Sequence, residues 1–238
     1  MRPRSIIVIT SIVSLIALSQ LTVPLLKIFL HVHDVQLPAT PASGDKSTND
    51  HHPVPLDRIS LYMRQAILSA EDRHFYQHHG VDPVGLVRAS IDNWRAGHMV
   101  EGASTITQQL AKVMFLDQRE RTARRKLTQL IIADELEKRY SKDRILEAYL
   151  NEVYFGRGAY GIEAAAQKYF AVSAAKLSLA QAAFLAGVVR RPSDLGTPAY
   201  LEEATDIQHE VLDSMQQCGY ISTDDAEDAK KQKLKFRK

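Results

Sequence analysis

Three stretches of this chain carry residue types that can do chemistry. The first is AEDRHFYQHHGVD at residues 70–82. Glu71 and Asp72 close an apolar run, and Phe75, His78 and Gly80 follow. A carboxylate beside aromatics at a glycine turn loses water, which raises its pKa toward the working range of a general base. A solvated helix end with an acidic pair fits the same local pattern. His74 and His78 stand four apart, a spacing that suits a metal pair, but no third ligand stands at motif spacing. The second stretch runs from Lys112 to Lys126. It sets Lys112, Arg119, Arg121, Arg124, Arg125 and Lys126 against Asp117 and Glu120. Such density suits a polyanion such as a diphosphate, whose oxygens arginine grips in pairs. A solvated basic face, or attraction to anionic lipid headgroups, would leave the same pattern. GASTITQQL, just before it, adds hydroxyls and amides at a helix start. The third stretch is residues 141–170. Glu147, Tyr149 and Asn151 end one helix ahead of Gly156, Gly158 and Gly161. These polar ends can wall a sugar cleft; a helix hairpin with a glycine-rich turn reads equally well.

Helices must position these groups. Apolar periodicity predicts helices over residues 58–70, 104–114 and 124–140, the last with Leu127, Leu130, Ile131 and Leu136 as its buried stripe. Ser141 caps KDRILEAYL. Ser178 with Gln181 forms a capping box before AAFLAGVV. IQHEVLDSMQQCGY closes at Gly219, and Thr223 opens a last helix. Extended signals are confined to VEGAST and NEVYFG. The pattern is that of a mostly α single domain.

Composition narrows the classes. The chain has 238 residues, 45% hydrophobic and 24% charged, as globular domains do. A net charge of +2 gives no reason to expect a nucleic-acid partner. Cys218 is the lone cysteine, so no intrachain disulfide forms, and MQQCGY offers it no histidine for catalysis. Arg2 and Arg4 precede an uncharged apolar run from Ser5 to Leu26. About 20 such residues span a bilayer, and the flanking cations orient the N-terminus inward. The expected organisation is a cytoplasmic tail at 1–4, a single transmembrane helix as signal-anchor at 5–30, a flexible linker at 31–55 and a domain at 56–238. A cleaved signal peptide ending near Ala17-Leu18-Ser19 is the competing reading. His51 and His52 fall in the linker and read as solvated.

EDRHFYQHHG, GASTITQQLAK, RRKLTQ, SKDRILEAYLN and RGAYGIEAAAQKYF occur in one order at close spacing. Together they resemble the five motifs of the peptidoglycan glycosyltransferase domain of penicillin-binding proteins and monofunctional transglycosylases. The resemblance spans roughly residues 56–200. It implies a lysozyme-like, two-lobed α fold with a membrane-facing lobe, on the extracytoplasmic side of the inner membrane. The implied substrates are lipid II and the growing lipid-linked glycan. The implied reaction joins that glycan to the 4-hydroxyl of lipid II with inversion, and undecaprenyl diphosphate leaves. It implies no organic cofactor, leaves room for a divalent cation (Mg or Mn), and admits other cell-wall synthases as partners. Carried across residue by residue, Glu71 matches the general base. Asp72, Phe75 and His78, with Ser104, Thr105, Gln108, Gln109 and Lys112, match substrate-binding positions. Arg121, Arg125 and Lys126 match cations around the diphosphate, and Asn151 matches the fourth motif with Lys142, Glu147 and Tyr149.

The sequence departs from that pattern at Gln129, where a second glutamate is usual. Glutamine hydrogen-bonds but carries no negative charge. On a helix, Glu135 lies about 240° further round and Glu137 about 12 Å further along, so neither is an easy replacement. Ala103, Val113 and Ala171 are smaller departures. An active polymerase is the leading expectation, and a lipid II-binding scaffold with weakened catalysis is the alternative. Ser173-Ala-Ala-Lys176 fits the S-x-x-K pattern of penicillin-binding nucleophiles, but no K-T-G follows and no transpeptidase activity is expected. The cationic cluster argues against a lytic enzyme.

Overall fold

The computed structural model describes residues 35–39, 52–85, 104–117 and 122–237. Among these the protein is helical. Its extended features are two isolated antiparallel bridges, His79 with Val81 and Tyr154 with Tyr160. The anchor expected at 5–30 lies outside the described residues. No helix among the described residues is long and apolar enough to cross a membrane.

The helices, in chain order, are α1 (Leu61–Glu71), α2 (Ile106–Phe115), α3 (Ala123–Arg139), α4 (Lys142–Glu152), α5 (Ile162–Phe170), α6 (Leu179–Val188), the single turn α7 (Pro192–Leu195), α8 (Leu201–Gln217) and α9 (Thr223–Lys231). They pack in two groups. In one, α6 is sandwiched between α1 and α8, and α9 lies against α8. In the other, α2 packs on both α3 and α4. The most deeply buried helix of each group explains the arrangement. Ala180 and every residue from Ala182 to Val188 in α6 are buried, as are Ile145 to Asn151 in α4. A helix apolar on all sides, as α6 is, must be covered on all sides; in α4 the buried Glu147 and Asn151 take main-chain hydrogen bonds. By contrast α1 buries Met63, Ala66 and Ile67, one face at three- and four-residue spacing.

Caps set the boundaries. Thr105, Thr122 and Ser141 each accept the main-chain N–H three residues on, opening α2, α3 and α4. The capping box of Ser178 and Gln181 is present. A second box, Ser222 with Asp225, starts α9.

Three expectations shift. The helix read over 58–70 is a 3₁₀ turn at Leu56–Arg58 followed by α1. The buried stripe of α3 is Thr128, Gln129, Ile131, Ile132, Ala133 and Leu136, while Leu127 is 40% exposed. The cause is α2, which lies against α3 and covers the side carrying Thr128 and Gln129 rather than Leu127. The stretch read as a flexible linker also contributes to the packed body. Val35 and Leu37 are buried in the core, with Leu37 N donating to the Tyr140 hydroxyl at 3.0 Å.

Ala171 ends α5 in the left-handed region, at φ 56° and ψ 34°, its N–H bonding back to Ala166 and Gln167. An L side chain is disfavoured there by about 1–2 kcal/mol, which accounts for a glycine being usual at this position. Ala171→Gly should therefore stabilise the protein by about 0.5–1 kcal/mol, after the greater freedom glycine brings to the unfolded chain. The midpoint of guanidinium unfolding reads this directly.

Candidate active site

The site lies where the end of α1 meets the start of α2. Helix α1 stops because Asp72 leaves helical geometry, at φ −160° and ψ 79°. Its buried carboxylate accepts from His78 Nε2 at 2.9 Å to each oxygen and from the Ile106 main-chain N–H at 3.0 Å. The last of these belongs to the unsatisfied N–H groups at the head of α2, where negative charge is favoured. The Gly80 carbonyl, two residues past His78, accepts from Thr105 Oγ1 at 2.8 Å and Gln108 Nε2 at 2.9 Å. Gly80 holds φ 76°, and a Cβ there would press on the Ala133 main chain. Phe75 is buried with its ring edge-on to Tyr76 and His78, and the Lys142 ammonium stands 4.4 Å over it. Asp72, Phe75, His78, Thr105 and Gln108 thus spend their side chains on the protein itself. His74 turns away to Asp82 at 3.0 Å, so the two histidines take separate carboxylates rather than one shared ion.

That clasp presents Glu71, the last residue of α1. Gln109 Nε2 donates to Glu71 Oε2 at 2.7 Å and reaches the Ser104 carbonyl at 3.4 Å. The other end of the same amide accepts from the Tyr149 hydroxyl at 3.0 Å. Loss of water pushes the Glu71 pKa up; the Gln109 bond and the charge of Arg190 oppose this, and Asp72 adds to it. Sequence reading overlooked Arg190, although VVRRP at the end of an apolar helix was a visible signal of charge placed at a core edge.

The cations gather beside it. Lys126 Nζ donates to Ser104 Oγ and to Gln108 Oε1, both at 3.1 Å. Burial lowers the Lys126 pKa, and repulsion from Arg125 and Lys112 lowers it further, which sets the three cations near one another. Arg125 Nε and Nη1 are buried without a hydrogen-bond partner. Unmatched buried donors call for an acceptor, and an anion beside three cations supplies one. Arg121 lies outside the described residues.

Gln129 and Asn151 face inward. Gln129 is 3% exposed and donates through Nε2 to the Gln108 carbonyl at 2.5 Å, tying α3 to α2. Asn151 clamps the chain before α1, accepting from Val54 N at 2.9 Å and donating to Val54 O at 2.8 Å. Glu147 adds a bond from Leu56 N at 2.9 Å. Glu135 pairs with Arg139, while Glu137 binds Lys142 and Thr107, so both are committed away from the position of Gln129.

A partly buried carboxylate with a raised pKa, an amide held at both ends and a cation cluster with unmet arginine donors lie together in one helical domain. A family model described as Transglycosylase matches residues 39–216, and the chain belongs to that family. Penicillin-binding protein 1A of Aquifex aeolicus (strain VF5) is 44% identical over 185 residues, which is 78% of this chain and 25% of the relative. Penicillin-binding protein 1A of Escherichia coli (strain K12) is 44% identical over 170 residues, 71% of this chain and 20% of that one. The chain therefore spans about a quarter of the length of the curated relatives it matches. A crystal structure of penicillin-binding protein 1A from Haemophilus influenzae aligns with 56% of this chain and 17% of its own, at 28% identity and a TM-score of 0.39.

Two stability measurements follow from this geometry. The unfolded chain releases the Glu71 proton near the ordinary value of 4.5, and the folded chain releases it only at higher pH. Stability contributed by this group therefore falls as pH rises through that interval. Glu71→Gln should raise the unfolding midpoint at neutral pH, and the gain should vanish below the ordinary value. Gln129→Glu would set a carboxylate against the Gln108 carbonyl in place of an N–H donor. It should lower stability by about 1–3 kcal/mol, measured by denaturant unfolding at neutral pH.

Proposed function

We propose that this protein is a peptidoglycan glycosyltransferase that polymerises lipid II into β-1,4-linked glycan. Glu71 takes the proton of the acceptor 4-hydroxyl as its oxygen attacks the anomeric carbon of the lipid-linked donor. The bond from that carbon to the diphosphate breaks, its electron pair leaves with the diphosphate oxygen, and undecaprenyl diphosphate departs. A sugar hydroxyl is barely acidic, so the base must act as the new bond forms, and a raised carboxylate pKa suits that task. Lys112, Arg125 and Lys126 stabilise the charge that grows on the leaving group, together with Arg121 by its place in the motif.

One observation carries this reading. A run of hydrogen bonds, Glu71 to Gln109, Gln109 to the Ser104 carbonyl and Ser104 Oγ to Lys126, spans 2.7, 3.4 and 3.1 Å and sets a partly buried base beside Lys126 and its neighbour Arg125, which has two donors unmet. That pairing suits a hydroxyl attack with a diphosphate leaving group. In this reading the domain has the lysozyme-like two-lobed form. Residues 5–30 anchor it to the inner membrane with the catalytic body outside, where substrate and enzyme share one surface and meet at high effective concentration. The relatives are named penicillin-binding proteins, and other cell-wall synthases fit as partners.

Gln129 favours a second reading, a lipid II-binding scaffold with weakened catalysis. One assay separates the two. Full-length protein in detergent is incubated with labelled lipid II, with and without a divalent cation, and the products are resolved on a gel. Polymer from the natural sequence, reduced by about 10²–10⁴-fold in Glu71→Gln, is the expected result. Lipid II binding without polymer would select the scaffold.

A further inference from the structure

We propose that Tyr149 is a positioning residue for the base: its phenol holds the Gln109 amide so that the amide N–H faces the Glu71 carboxylate. The inference rests on the reading of Glu71 as the base. Three elements meet here, with Glu71 closing α1, Gln109 on α2 and Tyr149 near the end of the buried helix α4. The Tyr149 hydroxyl donates to Gln109 Oε1 at 3.0 Å, and Gln109 Nε2 donates to Glu71 Oε2 at 2.7 Å.

A primary amide has one donor end and one acceptor end. Turned over, it would set its carbonyl against the carboxylate, two acceptors facing each other. A donor behind the carbonyl favours the productive orientation and polarises the amide, which strengthens the bond in front. Tyr149 is fully buried, and burial with the nearby Glu71 and Asp72 charges holds its pKa well above 10, so its proton stays in place. The arrangement favours the ionised base against the burial that opposes it. Asp72, next in the chain, works against ionisation. Arg190, past the end of α6, works for it and is itself held by Glu210 at 2.8 Å. Replacing Tyr149 by Phe leaves both of those charges in place and keeps the ring that packs the core.

The test measures initial rates of glycan polymerisation by the full-length protein in detergent, over the pH range in which the base titrates, for the natural sequence and Tyr149→Phe. The acid limb of the variant should move to higher pH by about half a unit or more. On the alkaline plateau kcat should stay within about twofold, with KM unchanged, because the base is ionised there without help. A uniform fall at every pH would make Tyr149 merely structural, and an unmoved limb would overturn the proposal. If the natural protein makes no polymer at any pH, the proposed function fails. The relay is then judged by carbon-13 NMR titration of the Glu71 carboxyl, assigned with Glu71→Gln, where a value no higher in Tyr149→Phe refutes it. Should Tyr149→Phe not fold, Gln109→Met removes the amide and with it both bonds, the one to Glu71 and the one from Tyr149. It must displace the Glu71 titration in the same direction, or the proposal falls.

Discussion

A buried carboxylate must find donors or lose its charge, and Asp72 finds them in two places that are far apart in sequence. His78 comes from the turn after α1, and the Ile106 N–H comes from the head of α2. The His78 contact is local, six residues on, while the Ile106 contact spans 34 residues. Together they fasten the end of one helical group to the start of the other. Removing one partner of such a buried hydrogen-bonded group usually destabilises by about 1–3 kcal/mol, because a buried polar atom is left unmet. Glu71 precedes Asp72 and Ser104 precedes Thr105, so the same fastening fixes Glu71 and the first contact of Lys126. The Gly80 carbonyl, held by Thr105 and Gln108, repeats the fastening one layer away.

The motif residues divide by direction. On α2, Thr105 and Gln108 look inward to the turn, while Gln109 reaches Glu71 and contacts Tyr149. The helical repeat does this: Gln109 lies about 100° from Gln108, and Lys112 falls near the Gln109 side one turn on. The inward Thr105 and Gln108 are matched within the protein. Outward ones are left with incomplete partnerships, above all Arg125, whose Nε and Nη1 go unmet while Lys126 feels the repulsion of its neighbours. Such frustration is unfavourable to the fold alone and is what a diphosphate would relieve.

The same logic applies to Gln129, which is buried. Its amide is enclosed between α3 and α2 and completes a main-chain carbonyl. A neutral donor suits that enclosure and a carboxylate does not. Asn151 and Glu147 serve similarly on α4, fixing Val54 and Leu56 so that the chain enters α1 at a set angle.

The sequence by itself determined the helices and their caps and marked the candidate reactive residues, because these depend on neighbours within a few positions. Ser178 with Gln181, Thr105 ahead of ITQQL and the Glu71-Asp72 pair were all legible in this way. Tertiary structure alone decided which polar side chains gather around Glu71 and Lys126 and which are consumed in support. Leu127 reads as core and is exposed, Gln129 is enclosed between two helices, and Val35 and Leu37 read as linker and are buried. Arg190 acquires a part only through proximity to Glu71. The reason is physical: a periodic pattern states that a helix has a buried face, but the width of that face is set by the element lying opposite. Long-range partners such as Gln109 and Tyr149, forty residues apart, leave no trace in local spacing.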